Sequence, residues 1–499
     1  MVLVLAMPSL AADKPARPPA PEFTVGVDWV NVQRPLTFAD LRGRVVILDF
    51  WTYGCVNCMH VNDELAALER KHGDRLVVVG VHSPKFDNEK NLGTLRRTVV
   101  RYGREHPIVN DVDWSMMMSY GVRAWPTLVV VDPAGGVVGY VAGEGHQEVL
   151  DRAVTTLLEE QSGTTELAPL PLALEKDRIQ GAFLAAPGKL AVSATLVAVS
   201  DTLHNRVLIV DHQGRVVRVV GGGDPGLTDG APEVARFTRP QGLAFGAGRL
   251  FVADTGNHTI RAIDLATGEV TTVAGNGTME LRLSGEFDAR SVGMRSPWAL
   301  ALDPPWLYVA MAGNHQIWRL NVDTGRLALF AGSGIEGIAD GELLAAEFSQ
   351  PSGLALSGRS LLVADAEDSA VRRIDLDAGR VETLIGKGLF VFGDRDGSFD
   401  DALLQHVLGV VAVSADEVIV ADTYNHKLKR LDLKARTIET LAGTGQPGRG
   451  EGPGAGAQLN EPGGVALLGE RVLVADTNND RIVWFDLGSR QVGEWPLAQ

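Results

Sequence analysis

The chain has 499 residues, too many for one hydrophobic core, so two or three domains are expected. A net charge of −16 argues against nucleic acid and anionic membrane surfaces as main partners. The only two cysteines, Cys55 and Cys58, exclude a disulfide scaffold and a four-thiolate zinc site, and confine all thiol chemistry to one motif.

Residues 2–7 form a short apolar run, and Ser9-Leu10-Ala11 resembles a small-x-small cleavage site. The basic n-region of a signal peptide is missing, so the stretch reads equally as a signal peptide without its start or as chance apolar sequence. The signal-like reading favours the cell envelope or secretion over the cytoplasm. Residues 14–21 are rich in Pro and Ala, which sets residues 1–21 apart as a signal-like or disordered lead-in. Nothing later approaches the ~18 apolar residues of a membrane span.

Residues 44–50, RVVILDF, are an apolar run broken by one acid, the pattern of a buried strand. WTYGCVNC follows. Residues 59–72 then place Val61, Leu65, Ala66 and Leu68 at roughly helical spacing. Residues 75–81, RLVVVGV, read as a second buried strand and 92–102 as a helix. Trp125-Pro126-Thr127 opens a third strand. A hairpin through 133–136 leads into 137–141, and a last helix spans about 147–159. This is the order of a thioredoxin fold over residues 22–160.

The chemistry of CxxC at this place is specific. A cysteine at a helix start meets the positive end of the helix dipole and free N–H groups, and both favour thiolate. A second cysteine three residues on lies within one turn and can resolve a mixed disulfide. Cys55 is therefore the expected nucleophile and Cys58 the resolving thiol. A zinc half-site or haem attachment is the alternative for such a pair. Haem attachment needs CxxCH, whereas this chain reads CVNCMH, with His60 one place too late. His60, His72, His82, His106 and His146 have no evident partner in sequence and read as surface or structural residues.

With these elements the segment resembles the thioredoxin superfamily, through Asp49, then Phe50-Trp51, then CxxC. The resemblance implies that Asp49 is a buried carboxylate beside the pair. Burial without a counter-charge would raise its pKa and let it take and return the proton of Cys58. A structural, hydrogen-bonded acid is the other reading. Trp51 counts with Asp49 as a supporting residue. Pro126 matches the family proline whose preceding bond is cis and faces the cysteines. The longer middle segment, 83–113, and PIVND before DWSMMMSYGVRAWPT place it near the TlpA-like, peroxiredoxin-related branch. The dipeptide Val56-Asn57 is neither Gly-Pro nor Pro-His, which leaves the direction of the redox reaction open.

From about residue 181 the texture changes to short apolar strands between glycine-rich turns, consistent with 57 glycines in the chain. VSDTLHNRVLIVD recurs as VADTGNHTIRAID, VAMAGNHQIWRLN, VADAEDSAVRRID, VADTYNHKLKRLD and VADTNNDRIVWFD. Its markers are Asp201, Asp254, Met311, Asp365, Asp422 and Asp476, a repeat of 53 to 57 residues. Each unit holds about four strands and cannot bury both faces alone, but six around an axis can. An all-β six-bladed propeller over 181–499 follows, joined through a linker at 161–180. The repeats resemble NHL repeats over residues 190–496. The whole order resembles the family of NHL repeat-containing protein 2 and its bacterial relatives, closest over 21–148. There the residue before the first cysteine is often cysteine; here it is Gly54.

His258, His315 and His426, each four residues past a marker, invite a ring of metal ligands. Other repeats place Asn205, Ser369 and Asp480 there, so turn-bracing is preferred and no metal site is assigned. The expected function is thiol–disulfide oxidoreduction by the CVNC dithiol, a redox-active disulfide needing no other cofactor. Its partners would be a protein thiol or disulfide substrate and a protein docked on the propeller. The alternatives are a non-enzymatic scaffold whose cysteine pair is a redox-sensitive clasp, and a propeller hydrolase or lyase.

Overall fold

A computed structural model describes residues 17–161, 167–178, 181–280 and 284–498. The signal-like residues 1–16 and part of the linker at 161–180 lie outside the described residues. The chain forms two compact units. The first takes in the described chain up to Pro84 together with Tyr102–Arg178. The second takes in Lys85–Arg101 and Ile179–Gln499.

The first unit follows the thioredoxin order. Its elements are β1 (Trp29–Val30), α1 (Phe38–Leu41), β2 (Val45–Trp51), α2 (Val56–His72) and β3 (Leu76–His82). After α3 (Leu92–Arg101), which clusters with the second unit, come β4 (Ile108–Asn110), α4 (Ser115–Ser119), β5 (Thr127–Val131), β6 (Val137–Ala142) and α5 (Gln147–Glu160). The sheet order is β1-β4-β3-β2-β5-β6, with β2, β3 and β4 parallel and the other pairs antiparallel. Successive side chains leave a strand on opposite faces. Val45 and Ile47 pack with Val61, Leu65, Leu68, Leu150 and Val154 of α2 and α5. Val46, Leu48 and Phe50 pack on the other side with Phe38, Met116 and Tyr120. Asp49 and Trp51 continue the odd-numbered row, so the strand period itself turns them to the α2 side.

Helix α2 starts three residues earlier than its apolar spacing indicated, because Cys55 takes the N-cap position and the first turn winds directly from it. Arg70, Lys71 and His72 crowd its last turn, where cations complement the dipole, and Gly73 at φ 57° ends it. Four short elements, β1, α1, β4 and α4, carry too few residues to show a period in sequence.

The second unit is a six-bladed β-propeller. Its blades span 187–221, 240–274, 286–331, 341–385, 397–442 and 452–494, as antiparallel sheets of four or five strands. In the second blade the four main strands are Pro240–Gly246, Arg249–Asp254, Thr259–Asp264 and Val270–Ala274, the number expected of each repeat. Every marker-plus-four residue sits in the left-handed region: Asn205, His258, His315, Ser369, His426 and Asp480 have φ between 51° and 55°. Each accepts a hydrogen bond from a backbone N–H at the entry to the next blade. The donors are Arg239, Ser296, Gln350, His406, Glu461 and, from the last blade back to the first, Ala186. This staple closes the ring without an exchanged strand. Among the described residues the first and last blades each keep their own four main strands. The C-terminal tail instead lies along the first blade, with Val216 N–H donating to the Ala498 carbonyl at 2.8 Å.

Residues 85–101 pass, within the second unit, across several blades. Lys85 pairs with Glu367, Asn88 donates to Glu461 at 2.8 Å, and Arg101 meets Glu461 at 3.0 Å. Phe86 packs on Phe392 and Tyr424. In sequence this stretch lies inside the segment 22–160. No helix among the described residues is long and apolar enough to cross a membrane.

Candidate active site

The site is built where β2 ends and α2 begins. Cys55, partly exposed, caps α2, and its Sγ accepts the backbone N–H of Cys58 at 3.3 Å. The cap places this sulfur at the positive end of a 17-residue helix. Cys58, one turn on, is buried, and both residues are free thiols. Burial pushes the Cys58 thiol well above its ordinary range, and its hydrogen bond to Cys55, the charge of Cys55 and that of Asp49 push the same way. The two sulfurs therefore differ in access and in the cost of ionising the inner one.

Asp49 is fully buried and near enough to Cys58 for its charge to act on the thiol. The expectation for it assumed no counter-charge, and that condition is not met. Arg104, itself buried, donates from Nη1 to Asp49 Oδ2 at 2.8 Å and from Nη2 to the Cys58 carbonyl at 2.8 Å. Its guanidinium carbon lies 3.8 Å from the centre of the Trp51 ring. Asp49 Oδ1 has no hydrogen-bond partner among the described residues. Asp49, Trp51 and Cys58 are thus brought together by a residue that the sequence reading passed over. Arg104 stands 55 residues from Asp49, in a loop without periodicity, and only the sheet brings it there.

His82, at the end of β3 and opposite Trp51 in register, walls the same region. Its ring stacks on Tyr53 at 5.7 Å, and Nδ1 meets Asn110 Oδ1 at 2.9 Å. Burial lowers its pKa to about 4; the Asn110 hydrogen bond opposes this and the charge of Arg104 adds to it. Pro126 precedes β5 after a cis bond to Trp125, and the next residue, Thr127, lies opposite Phe50 of β2. The remaining histidines have partners: His60 contacts Glu144 at 2.5 Å, His72 meets Asp151 at 2.8 Å, and His106 lies 3.6 Å from Glu69. His146 Nε2 lies 3.1 Å from the Ala142 carbonyl.

In the propeller, the marker carboxylates are fully buried and fully used. Asp254 accepts from the Thr238 N–H at one oxygen and from Asn257 and Arg261 at the other. Asp422 repeats this with the Gln405 N–H, Asn425 and Lys429, and Asp476 with the Asn460 N–H, Asn479 and Arg481. The repeat histidines point Nδ1 at the backbone N–H groups of the ring staple.

The fold and this site define a class: a thioredoxin-like domain carrying a vicinal dithiol, continued by an NHL-repeat propeller. Residues 43–137 match the Thioredoxin-like family and residues 237–263 the NHL repeat. NHL repeat-containing protein 2 of Bos taurus is 39% identical over 517 residues, covering 96% of this chain and 71% of the relative. The chain belongs to the NHL repeat-containing protein 2 family. Protein SUPPRESSOR OF QUENCHING 1, chloroplastic, of Arabidopsis thaliana is 43% identical over 95% of this chain, which spans 47% of that relative, about half its length. Thiol-disulfide oxidoreductase YkuV of Bacillus subtilis is 26% identical over 29% of this chain and 97% of its own. The domain and its oxidoreductase relatives support a redox role.

Proposed function

We propose that the chain is a thiol–disulfide oxidoreductase acting through Cys55 and Cys58, with the propeller as a docking module for a protein partner. The observation that carries this is the asymmetry of the pair: an accessible sulfur at a helix N-terminus and a buried one a turn below it. In the reducing direction the Cys55 thiolate attacks one sulfur of a partner disulfide, and the other partner sulfur leaves as thiolate and takes a proton. Cys58 then gives its proton to Asp49, and its sulfur attacks Cys55 Sγ. The Cys55–Cys58 disulfide forms, and the second partner sulfur leaves and is protonated. Two electrons and two protons pass to the partner, and the same steps reversed oxidise a partner dithiol. Trp51 and Pro126 support the geometry around the pair, and no further cofactor is needed.

Docking on the propeller is supported by the long loop between the fourth and fifth blades, where Phe390 and Val391 are exposed. An envelope or secreted location remains the reading of the N-terminal residues, and fractionation of the tagged full-length protein tests it. The central test is insulin reduction with dithiothreitol, followed by trapping of a mixed disulfide with Cys58→Ser. Turnover by the wild type and a partner held on Cys55 support the proposal. A wild type that does not turn over, together with a Cys58→Ser variant that traps no partner, would leave the pair a passive clasp.

A further inference from the structure

The Asp49–Arg104 pair is an odd thing to bury. Removing two charges from water costs several kcal/mol per ion, and such a pair is weak support for stability taken alone. A purely structural pair can use every oxygen and nitrogen, as the propeller's Asp254–Arg261 pair does. Here one carboxylate oxygen has no hydrogen-bond partner among the described residues, and the guanidinium spends its second arm on the backbone of the resolving cysteine. Arg104 also lies over the Trp51 ring, which with its two hydrogen bonds fixes the direction of its fork.

We propose that Arg104 is a positioning residue of the dithiol site. One arm clamps Asp49 Oδ2, the other clamps the first turn of α2 at Cys58, and Oδ1 is left to exchange a proton with the Cys58 thiol. This rests on the oxidoreductase reading for its use, but the clamp is a property of the folded dithiol form and is measurable without turnover. The titratable and charged groups around the clamp are Cys55 at the cap of α2 and Cys58 in its first turn, His82 on β3, and His106 near Arg104 in the loop before β4. On β5 the residue opposite Asp49 is the apolar Leu128.

Because the chain has only two cysteines, labelling cysteine with 13C at Cβ gives two signals, which Cys55→Ser assigns. The Cβ shift of Cys58 is followed against pH in the full-length protein. Loss of the guanidinium leaves the carboxylate and the thiol competing for charge with no cation beside them, so Arg104→Gln should move the Cys58 titration up by about one pH unit or more. Arg104→Lys, which keeps the charge, should restore most of it. The decisive arm is Asp49→Asn/Arg104→Gln, which removes both buried charges and so avoids stranding either one. In the Asp49→Asn background the further loss of Arg104 should move Cys58 by much less than it does alone. In exchange assays, Arg104→Gln should slow mixed-disulfide resolution roughly tenfold at neutral pH. Coincident Cys58 titrations in wild type and Arg104→Gln, or an equal shift in both backgrounds, would overturn the proposal. A shifted titration in a protein that never turns over a disulfide would instead sink the oxidoreductase reading and leave the clamp standing.

Discussion

The two units bury the same pair of groups, an aspartate against a cation, and satisfy it to different extents. In the propeller, Asp254 and Arg261 lie 2.9 Å apart, fully buried, with Thr238 and Asn257 occupying the remaining acceptor positions. Nothing is left over, and the pair braces a turn. The third blade supplies an internal control: Met311 replaces the aspartate and Trp318 the cation, Gln316 accepts the indole N–H at 3.0 Å, and the blade keeps its sheet. The propeller therefore tolerates the loss of the pair when both members go together. In the thioredoxin-like unit, one Asp49 oxygen has no hydrogen-bond partner among the described residues. At Asp254 the hydrogen-bonding capacity is exhausted, whereas at Asp49 one acceptor is held back near the Cys58 thiol.

The strongest way to break this division is at the thiols. Cys55→Ser should reduce disulfide exchange to background while leaving thermal unfolding of the propeller unchanged, as seen by insulin reduction and calorimetry. Residual exchange near the wild-type rate would move the chemistry elsewhere.

In the propeller the cost should fall on stability alone. Arg261→Leu strands the buried Asp254 carboxylate and should destabilise the second unit by about 3–5 kcal/mol in denaturant unfolding, with exchange of a small disulfide unaffected. A loss of activity at full occupancy of the folded state would contradict the split.

A third test sets one histidine in each unit side by side. Burial lowers both His82 and His406 to about 4. An unfolded histidine titrates near 6.5, so between about pH 4 and 6.5 the unfolded chain binds protons that the folded chain does not. The stability from keeping these rings neutral is fully present above about pH 6.5 and lost as pH falls through about 4. Replacing either by Gln should flatten the acid limb of the stability curve by up to about 3 kcal/mol. Only His82→Gln, beside Tyr53 and Trp51, should also alter exchange kinetics. Equal kinetic effects from the two would erase the distinction.

The smallest effect is expected at the staple. His315 occupies a left-handed turn position that Asn205 fills in the first blade with the same acceptor role. His315→Asn should stay within about 0.5 kcal/mol of wild type, whereas His315→Ala should cost about 1 kcal/mol through the orphaned Gln350 N–H. A large loss from the Asn variant would mean that the imidazole does more than brace.

The strand runs read at 44–50 and 75–81, the helix behind the cysteines and the six repeats were legible because each repeats a period, and burial on a sheet or blade enforces that period in the residues themselves. The cysteine pair was legible because chain spacing and helix geometry fix its separation. Arg104 had no such signature. It neighbours Asp49 only because the fold carries the loop before β4 to the end of β2, and a loop position bears no mark of what it will face. Ring closure was hidden for a related reason. The repeats announced six blades, but a side chain accepting a neighbouring backbone N–H is a matter of three-dimensional register, and Asn, His, Ser and Asp can all provide it. Sequence determined what recurs along the chain and where the thiols lie. Tertiary structure decided which buried charge is satisfied and which has an oxygen to spare, because that depends on contacts between residues far apart in the chain.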